Sequence, residues 1–182
     1  MSSKVNGLLL YPIGHVSIDD LMEARRLIEE AFNKRFPVYI ATAKTNPPMH
    51  LIDWNRIQYD AEEVTLWLAE KARTILSSGV LVVGICGCDA YVRGLNFVFG
   101  LAIPKLGVAT VYTKRLETRD HDLFVTRLAK EVVHETGHLL GLDHCGSKEC
   151  VMSFSNSIID VDRKNYKFCD NCWRKIEGIL RG

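Results

Sequence analysis

Apolar residues in the first two thirds of the chain fall into two kinds of run. Short, nearly continuous runs are typical of buried strands, and longer runs with an apolar residue at every third or fourth position are typical of amphipathic helices. The predicted strands are residues 8–11, 38–43, 80–86, 96–101 and 107–112, and the predicted helices are residues 18–34, 59–77 and 121–138. Ser17 is predicted to cap the first helix, and Gly79 to end the second. Because strands and helices alternate, we expect an α/β (α+β) fold in which helices cover a short mixed sheet.

The pattern changes towards the C-terminus. Residues 145–168 show no clear periodicity, and the one further helix is predicted from Cys169 to Leu180. A chain of 182 residues has the usual size of one domain. We therefore expect a single domain over residues 1–182, with an upper part of about 1–141 that carries the sheet and a smaller C-terminal part of about 142–182.

Charge and hydropathy exclude several classes of partner. The chain has 23 basic and 22 acidic residues, so its formal charge of +1 indicates neither a nucleic-acid surface nor a polybasic membrane anchor. The apolar run Leu8–Leu10 is too short for a signal peptide, and no stretch reaches the roughly 18 apolar residues of a membrane span. We therefore expect a cytoplasmic monomer. Thiols stay reduced in the cytosol, so the six cysteines are expected to be metal ligands or buried thiols rather than disulfides.

The strongest chemical signal is the sequence HETGHLLGLDH, which begins at His134 and has the form HExxHxxGxxH. His134 and His138 lie one helical turn apart on the same face, so both can bind one metal ion. Gly141 can adopt the left-handed conformation that ends a helix, and the following turn would bring His144 to the same ion. Glu135 lies beside the metal rather than on it, where its carboxylate can take a proton from a zinc-activated water.

The motif favours catalysis over a purely structural site. Three histidines leave the fourth position of a zinc ion open for water or substrate. A metallopeptidase with Glu135 as general base follows from this, and an edge strand, residues 96–101 or 107–112, would hold the peptide extended. Two alternatives stay open. A zinc-binding regulatory or interaction module would need neither Glu135 nor an open position, and a metal-dependent hydrolase of a non-peptide substrate is compatible with the motif.

Four cysteines follow the histidines in two pairs, Cys145 with Cys150 and Cys169 with Cys172. This spacing is typical of a closed four-cysteine zinc site, which would stabilise an irregular segment. Two disulfides or an iron–sulfur cluster are the alternatives. Because Cys145 adjoins His144, a structural ion would also help to hold the third histidine in place. The sequence therefore predicts two zinc ions per chain, one catalytic and one structural.

Two further cysteines, Cys86 and Cys88, occupy alternate positions at the end of a predicted strand. Alternate residues of a strand face the same side of a sheet. Buried free thiols are common in proteins, so we expect both to be structural thiols.

The joint pattern resembles the archaemetzincins. It consists of the histidine motif, Cys145 directly after it, the triplet Cys150-Val151-Met152 and the tetrapeptide Cys169-Asp170-Asn171-Cys172. The resemblance implies a compact metzincin-like fold with a twisted mixed sheet and two long helices. It also implies a catalytic zinc on the three histidines, a second zinc on the four cysteines and peptide substrates.

The resemblance further assigns Met152 to a tight turn beneath the three histidines, the Met-turn of metzincins. An ordinary core methionine is the alternative. Some family members resemble aminopeptidases, so aminopeptidase-like action on short peptides is a further expectation.

Overall fold

The structure is a computed structural model that describes residues 5–181. Its strands are β1 (Gly7–Ile13), β2 (Val38–Ile40), β3 (Ile52–Asp53), β4 (Gln58–Asp60), β5 (Val80–Cys86), β6 (Ala90–Tyr91), β7 (Gly100–Ile103) and β8 (Val108–Tyr112). Its α-helices are α1 (Ile18–Ala31), α2 (Ala61–Lys71), α3 (Arg73–Leu76), α4 (His121–Leu139), α5 (Ile158–Arg163) and α6 (Asp170–Arg181). None of the helices in this part of the chain is long and apolar enough to cross a membrane.

The larger sheet has the strand order β2-β1-β5-β8-β7. Four of its strands are parallel, and β7 alone pairs antiparallel, with β8. The expected mixed sheet is therefore confirmed. Of the two strands predicted as a peptide-binding edge, the one at 107–112 corresponds to β8, which lies inside the sheet. The other corresponds to β7, which forms one edge of the sheet. A smaller sheet has the order β3-β4-β6.

Helices cover both faces of the larger sheet, and alternation along the strands assigns each side chain to one face. Leu8 and Leu10 of β1 pack with α1 and α4, whereas Leu9 packs with α2 on the other face. The long helices α1 and α4 contact each other as well as the sheet. Ser17 caps α1 as predicted, because its side chain accepts a hydrogen bond from the amide of Asp20.

The C-terminal part shares its core with the rest of the chain. Val151, Met152, Val161 and Ile176 are fully buried in the same apolar cluster as α1 and α4. The single domain with a smaller C-terminal part stays a prediction, with which this shared core agrees.

Several predicted elements differ from the structure. The strand expected at 38–43 ends at Ile40, and the helix expected at 18–34 ends at Ala31. The strand expected at 96–101 begins only at Gly100, and residues 97–99 before it line a cleft. The helix expected from residue 59 begins at Ala61, capped by the Asp60 side chain, and it is interrupted at Ala72. The segment expected to be irregular contains the short helix α5.

The expectation for Cys86 and Cys88 is wrong, because the structure joins them in a disulfide. The expectation assumed that the strand continues through Cys88. Instead β5 ends at Cys86 and the chain turns at Gly87, which packs against the backbone of His15. The turn brings the two sulfurs together.

Candidate active site and metal centres

His134 and His138 project from the end of α4 with their Nε2 atoms 3.1 Å apart. The Nδ1 atom of His134 lies 2.8 Å from the carbonyl oxygen of Val151, and that of His138 lies 2.7 Å from the carbonyl oxygen of Leu142. A carbonyl oxygen only accepts hydrogen bonds, so each Nδ1 must donate and each Nε2 keeps its lone pair. Two lone pairs facing each other at this distance form a donor set suited to a metal ion.

Gly141 and His144 complete the group of three histidines. Gly141 has a φ of 87°, the left-handed conformation expected of a residue just after a helix, and α4 ends at Leu139. The His144 ring lies 5.3 Å from the ring of His134 and 4.8 Å from that of His138, measured between centroids. One ligand atom from each histidine lies within 4.8 Å of the others. The structure therefore brings the three predicted residues together.

The electrostatic surroundings favour neutral imidazoles. Burial lowers the pKa of His134 well below its ordinary value, and the ammonium group of Lys164 lowers it further. Burial also lowers the pKa of His138 and of His144. Neutral rings offer the lone pairs that metal binding requires.

Glu135 is only 5% exposed and lies against the edge strand β7. A methyl group on Gly100 would lie 2.7 Å from the carboxyl carbon of Glu135, so the carboxylate fits here because residue 100 has no side chain. Burial raises the pKa of Glu135 well above its ordinary value, and the charge of Glu131 raises it further, whereas Lys164 lowers it. No sequence signal marked Gly100 as part of the site.

A buried ion pair lies one turn before Glu135 on α4. The Lys164 ammonium nitrogen is 2.8 Å from a carboxylate oxygen of Glu131, and the two side chains are 0% and 3% exposed. The distance makes them a charge pair, although their orientation is not that of a hydrogen bond. Neither charge could be buried without the other at acceptable cost. The pair fixes α4 to the chain after α5, and sequence periodicity could not have revealed it.

Met152 is fully buried and packs against α4 between the first two histidines. A methyl group on Gly137 would overlap the Met152 sulfur and lie 3.1 Å from its terminal methyl carbon. Val151, the residue before Met152, supplies the carbonyl that orients His134. Met152 therefore lies where the Met-turn was expected.

Gly137→Ala should lower the free energy of unfolding by about 1–3 kcal/mol, because the added methyl overpacks the contact with Met152. The direction of this change is informative, since helix propensity alone would make the alanine variant more stable by about 1 kcal/mol. Gly178→Ala in α6 is the matched control, because a methyl group there meets nothing within 4 Å. Urea denaturation of both variants measures the difference. A Gly137→Ala protein at least as stable as the control would contradict close packing by Met152.

The four C-terminal cysteines form a second cluster. Cys145, Cys150, Cys169 and Cys172 are free thiols with all four sulfurs within 4.8 Å of one another. Burial and the charge of Cys150 raise the pKa of Cys172. Burial would also raise that of Cys169, but the backbone amide of Cys172 and neighbouring thiols lower it to about 7. Thiolates packed this closely repel one another unless a cation binds them, so this group also fits a metal ion.

A cleft of about 450 Å³ contains the three histidines and Glu135. The segment around β7 forms one wall, and Phe154, Ser155 and Asn156, which follow Met152, form part of the other. The catalytic candidates therefore face an open groove beside a free strand edge, where an extended chain could bind.

Sequence comparisons identify the relatives of this chain. Residues 20–178 match the model of peptidase family M54. A protein from Aeropyrum pernix named archaemetzincin is 44% identical over 176 residues, which cover 97% of this chain and 95% of the relative.

Solved structures agree with the sequence relatives. A zinc-dependent peptidase from Methanocorpusculum labreanum superposes with a TM-score of 0.85 at 28% identity, covering 93% of this chain and 100% of that chain. An archaemetzincin from Archaeoglobus fulgidus, solved with malonate, superposes with a TM-score of 0.79 at 32% identity, covering 93% and 99%. The match to the family over most of the chain, together with these relatives, shows that the chain belongs to the archaemetzincins, peptidase family M54, and is a metallopeptidase.

Proposed function

We propose that this chain hydrolyses peptide bonds with a zinc ion held by His134, His138 and His144, and with Glu135 as general base. The observation that carries the proposal is that the Nε2 atoms of His134 and His138 lie 3.1 Å apart. The Nδ1 atom of each ring donates to a backbone carbonyl, which orients the ring. The solved relative from Methanocorpusculum labreanum, described as a zinc-dependent peptidase, supports zinc as the metal. When bound, the ion would supply Lewis acidity to the attacking water and to the scissile carbonyl.

Glu135 moves the proton in this proposal. Its carboxylate accepts a proton from the attacking water as the new carbon–oxygen bond forms. It then delivers that proton to the leaving nitrogen as the carbon–nitrogen bond breaks. Burial beside Gly100 holds the carboxylate in the cleft and excludes bulk water from one side of it.

The edge strand β7 positions the substrate. β7 pairs only with β8 among the described strands, so its other edge is free to hydrogen-bond an extended peptide. Gly100 lies at the end of β7 nearest Glu135. A peptide paired along this edge would therefore pass the histidines.

The second zinc ion would be structural. Cys145, Cys150, Cys169 and Cys172 supply four ligands and leave no open position, which is the composition of a structural site. The proposal also includes a cytoplasmic monomer that acts on peptides, in an aminopeptidase-like manner on short ones, and that binds neither nucleic acid nor membranes. The nearly balanced charge of the chain supports the last two exclusions.

Metal stoichiometry tests the two sites together. Protein purified without added metal should contain two zinc ions per chain, and His138→Ala should contain one, because it removes a ligand of the open site and none of the closed site. His50→Ala is the matched control, since His50 is exposed and outside both clusters. One ion per chain that persists in His138→Ala would indicate a non-catalytic zinc module instead.

A further inference from the structure

One wall of the cleft is formed by the rim segment, residues 92–99, which connects β6 to β7. It lines the cleft with the apolar side chains of Val92, Leu95, Phe97, Val98 and Phe99. Two backbone hydrogen bonds connect its end to neighbouring strands: Val98 donates to the carbonyl of Ala90 in β6, and Phe99 accepts from the amide of Tyr112 in β8. Its apolar side chains therefore line the cleft on one side and pack against the apolar cores on the other.

Polar contacts hold the rim segment from outside the cleft. Arg115 makes a bidentate pair with Asp89, with both nitrogen–oxygen distances at 2.8 Å. Gln58, which is 5% exposed, donates to the same carboxylate and to the carbonyl of Asn96 in the rim segment, each at 3.0 Å. Bidentate arginine pairs restrict geometry more than single contacts do. The rim is thus fixed before any substrate binds.

Arg115 also contacts the rim directly. Its guanidinium carbon lies 4.1 Å from the centre of the Phe97 ring, a cation–π contact. Phe97 in turn packs edge-on against Phe99, with centroids 5.2 Å apart. One arginine side chain therefore orients both aromatic rings of the cleft wall.

Large apolar groups remain uncovered on both sides of the cleft. Leu95 on the rim is 43% exposed, and Phe154 on the opposite wall is 50% exposed. Such groups in a concave site gain free energy when an apolar ligand covers them.

The acidic side chains that line the cleft are Glu135, Asp143 and Glu131, which is paired with Lys164. No lysine or arginine of residues 5–181 lines it. An acidic substrate side chain would therefore lie near Glu135 and Asp143 and would find no lysine or arginine in the lining to pair with.

We propose that the cleft selects peptides with a bulky apolar side chain next to the scissile bond and rejects those with an acidic one. Arg115 is a positioning residue for this preference, because it orients Phe97 and ties Asp89 to the rim. The proposal rests on the proposed peptidase function and specifies its substrate class.

Cleavage of a mixed peptide library by the zinc-loaded protein, read by mass spectrometry, tests the preference. We expect aromatic and large aliphatic residues to be enriched beside the cut bond, and aspartate and glutamate to be depleted. Cleavage without either bias would overturn the substrate class while leaving the peptidase function intact. No zinc-dependent cleavage of any peptide would contradict the peptidase function itself.

Arg115→Met tests the positioning role. We expect KM for a phenylalanine-containing peptide to rise about tenfold with kcat within about twofold, since the wall is displaced but the histidines and Glu135 are untouched. KM for the matched alanine peptide should change little. Arg115→Lys keeps the charge but not the bidentate pair, so it should restore only part of the loss.

Lys114→Met is the matched control, because Lys114 pairs with Glu117 at an exposed position and touches neither Asp89 nor Phe97. It should keep both KM values. Thermal unfolding of all three variants separates misfolding from mispositioning. If Arg115→Met lowers kcat equally for both peptides, or leaves the phenylalanine preference unchanged, the positioning role is wrong.

Discussion

Glu135→Gln is expected to lower kcat for peptide hydrolysis by about 10²- to 10⁴-fold while the protein keeps its zinc. The amide has nearly the shape of the carboxylate, so it fits beside Gly100 without a clash. It cannot accept the proton of the attacking water, however. Glu131, the nearest other carboxylate on α4, is paired with Lys164.

A surface carboxylate provides the control for this variant. Glu149→Gln changes an exposed side chain and should leave kcat unchanged. Zinc content is measured on both proteins. Full kcat in Glu135→Gln with zinc retained would show that another group takes the proton, and loss of zinc would instead assign Glu135 a role in holding the site together.

The second large effect is expected from replacing Cys169 and Cys172 together by serine. The variant should lose the structural zinc and unfold at a lower temperature, because structural zinc contributes on the order of 10 kcal/mol of folding free energy in zinc-finger peptides. If the structural zinc contributes only one third of that folding free energy here, its loss would still lower Tm by roughly 6–12 °C for a domain of this size.

The same variant should weaken zinc at the histidines about 10- to 100-fold, the usual cost of losing support behind metal ligands. Two contacts connect the sites. The amide of Cys145 donates to the carbonyl of Met152 at 2.8 Å, and Val151, next to Cys150, accepts the hydrogen bond that orients His134. Without the structural ion, this loop loses its anchor.

The double variant of Cys86 and Cys88 to serine is the control, because it also removes two cysteines but touches neither cluster. It should keep two zinc ions and unchanged affinity at the histidines. Unchanged affinity in the Cys169 and Cys172 variant as well would show that the two metal sites are independent.

The sequence predicted best those features that depend on neighbours along the chain. The spacing of His134 and His138, the helix end near Gly141 and the cap at Ser17 all follow from local helix geometry, and the structure has each of them. The third histidine could be placed because a single turn connects it to the helix.

Apolar pattern alone misplaced the strand before β7. Phe97, Val98 and Phe99 form the kind of run that indicates a buried strand, and they do pack against the apolar cores, but they also line the cleft and precede the strand. The strands of the smaller sheet have two or three residues each, too few to show a periodicity. Core packing and the wall of the cleft together explain the apolar run.

Contacts between distant segments had no sequence signal. Gly100 makes room for Glu135, Gly137 makes room for Met152, and Lys164 neutralises Glu131, and each depends on segments that meet only in the fold. A glycine or lysine at such a position looks the same in the sequence as one on the surface. Only the folded structure brings these pairs of residues together.

If a peptide binds along β7 as proposed, the shortness of this strand limits how many residues of the peptide can pair with it. Four residues, Gly100–Ile103, span roughly 14 Å at 3.4 Å per residue. Only alternate residues of a strand face a given neighbour with their backbone groups, so an added chain gains few hydrogen bonds from this edge. Binding affinity would therefore stop rising once a peptide is a few residues long, and a tenth residue would add almost nothing to it. Segments already paired within a folded domain could not enter, which leaves chain ends, loops and degradation fragments as the polypeptides within reach.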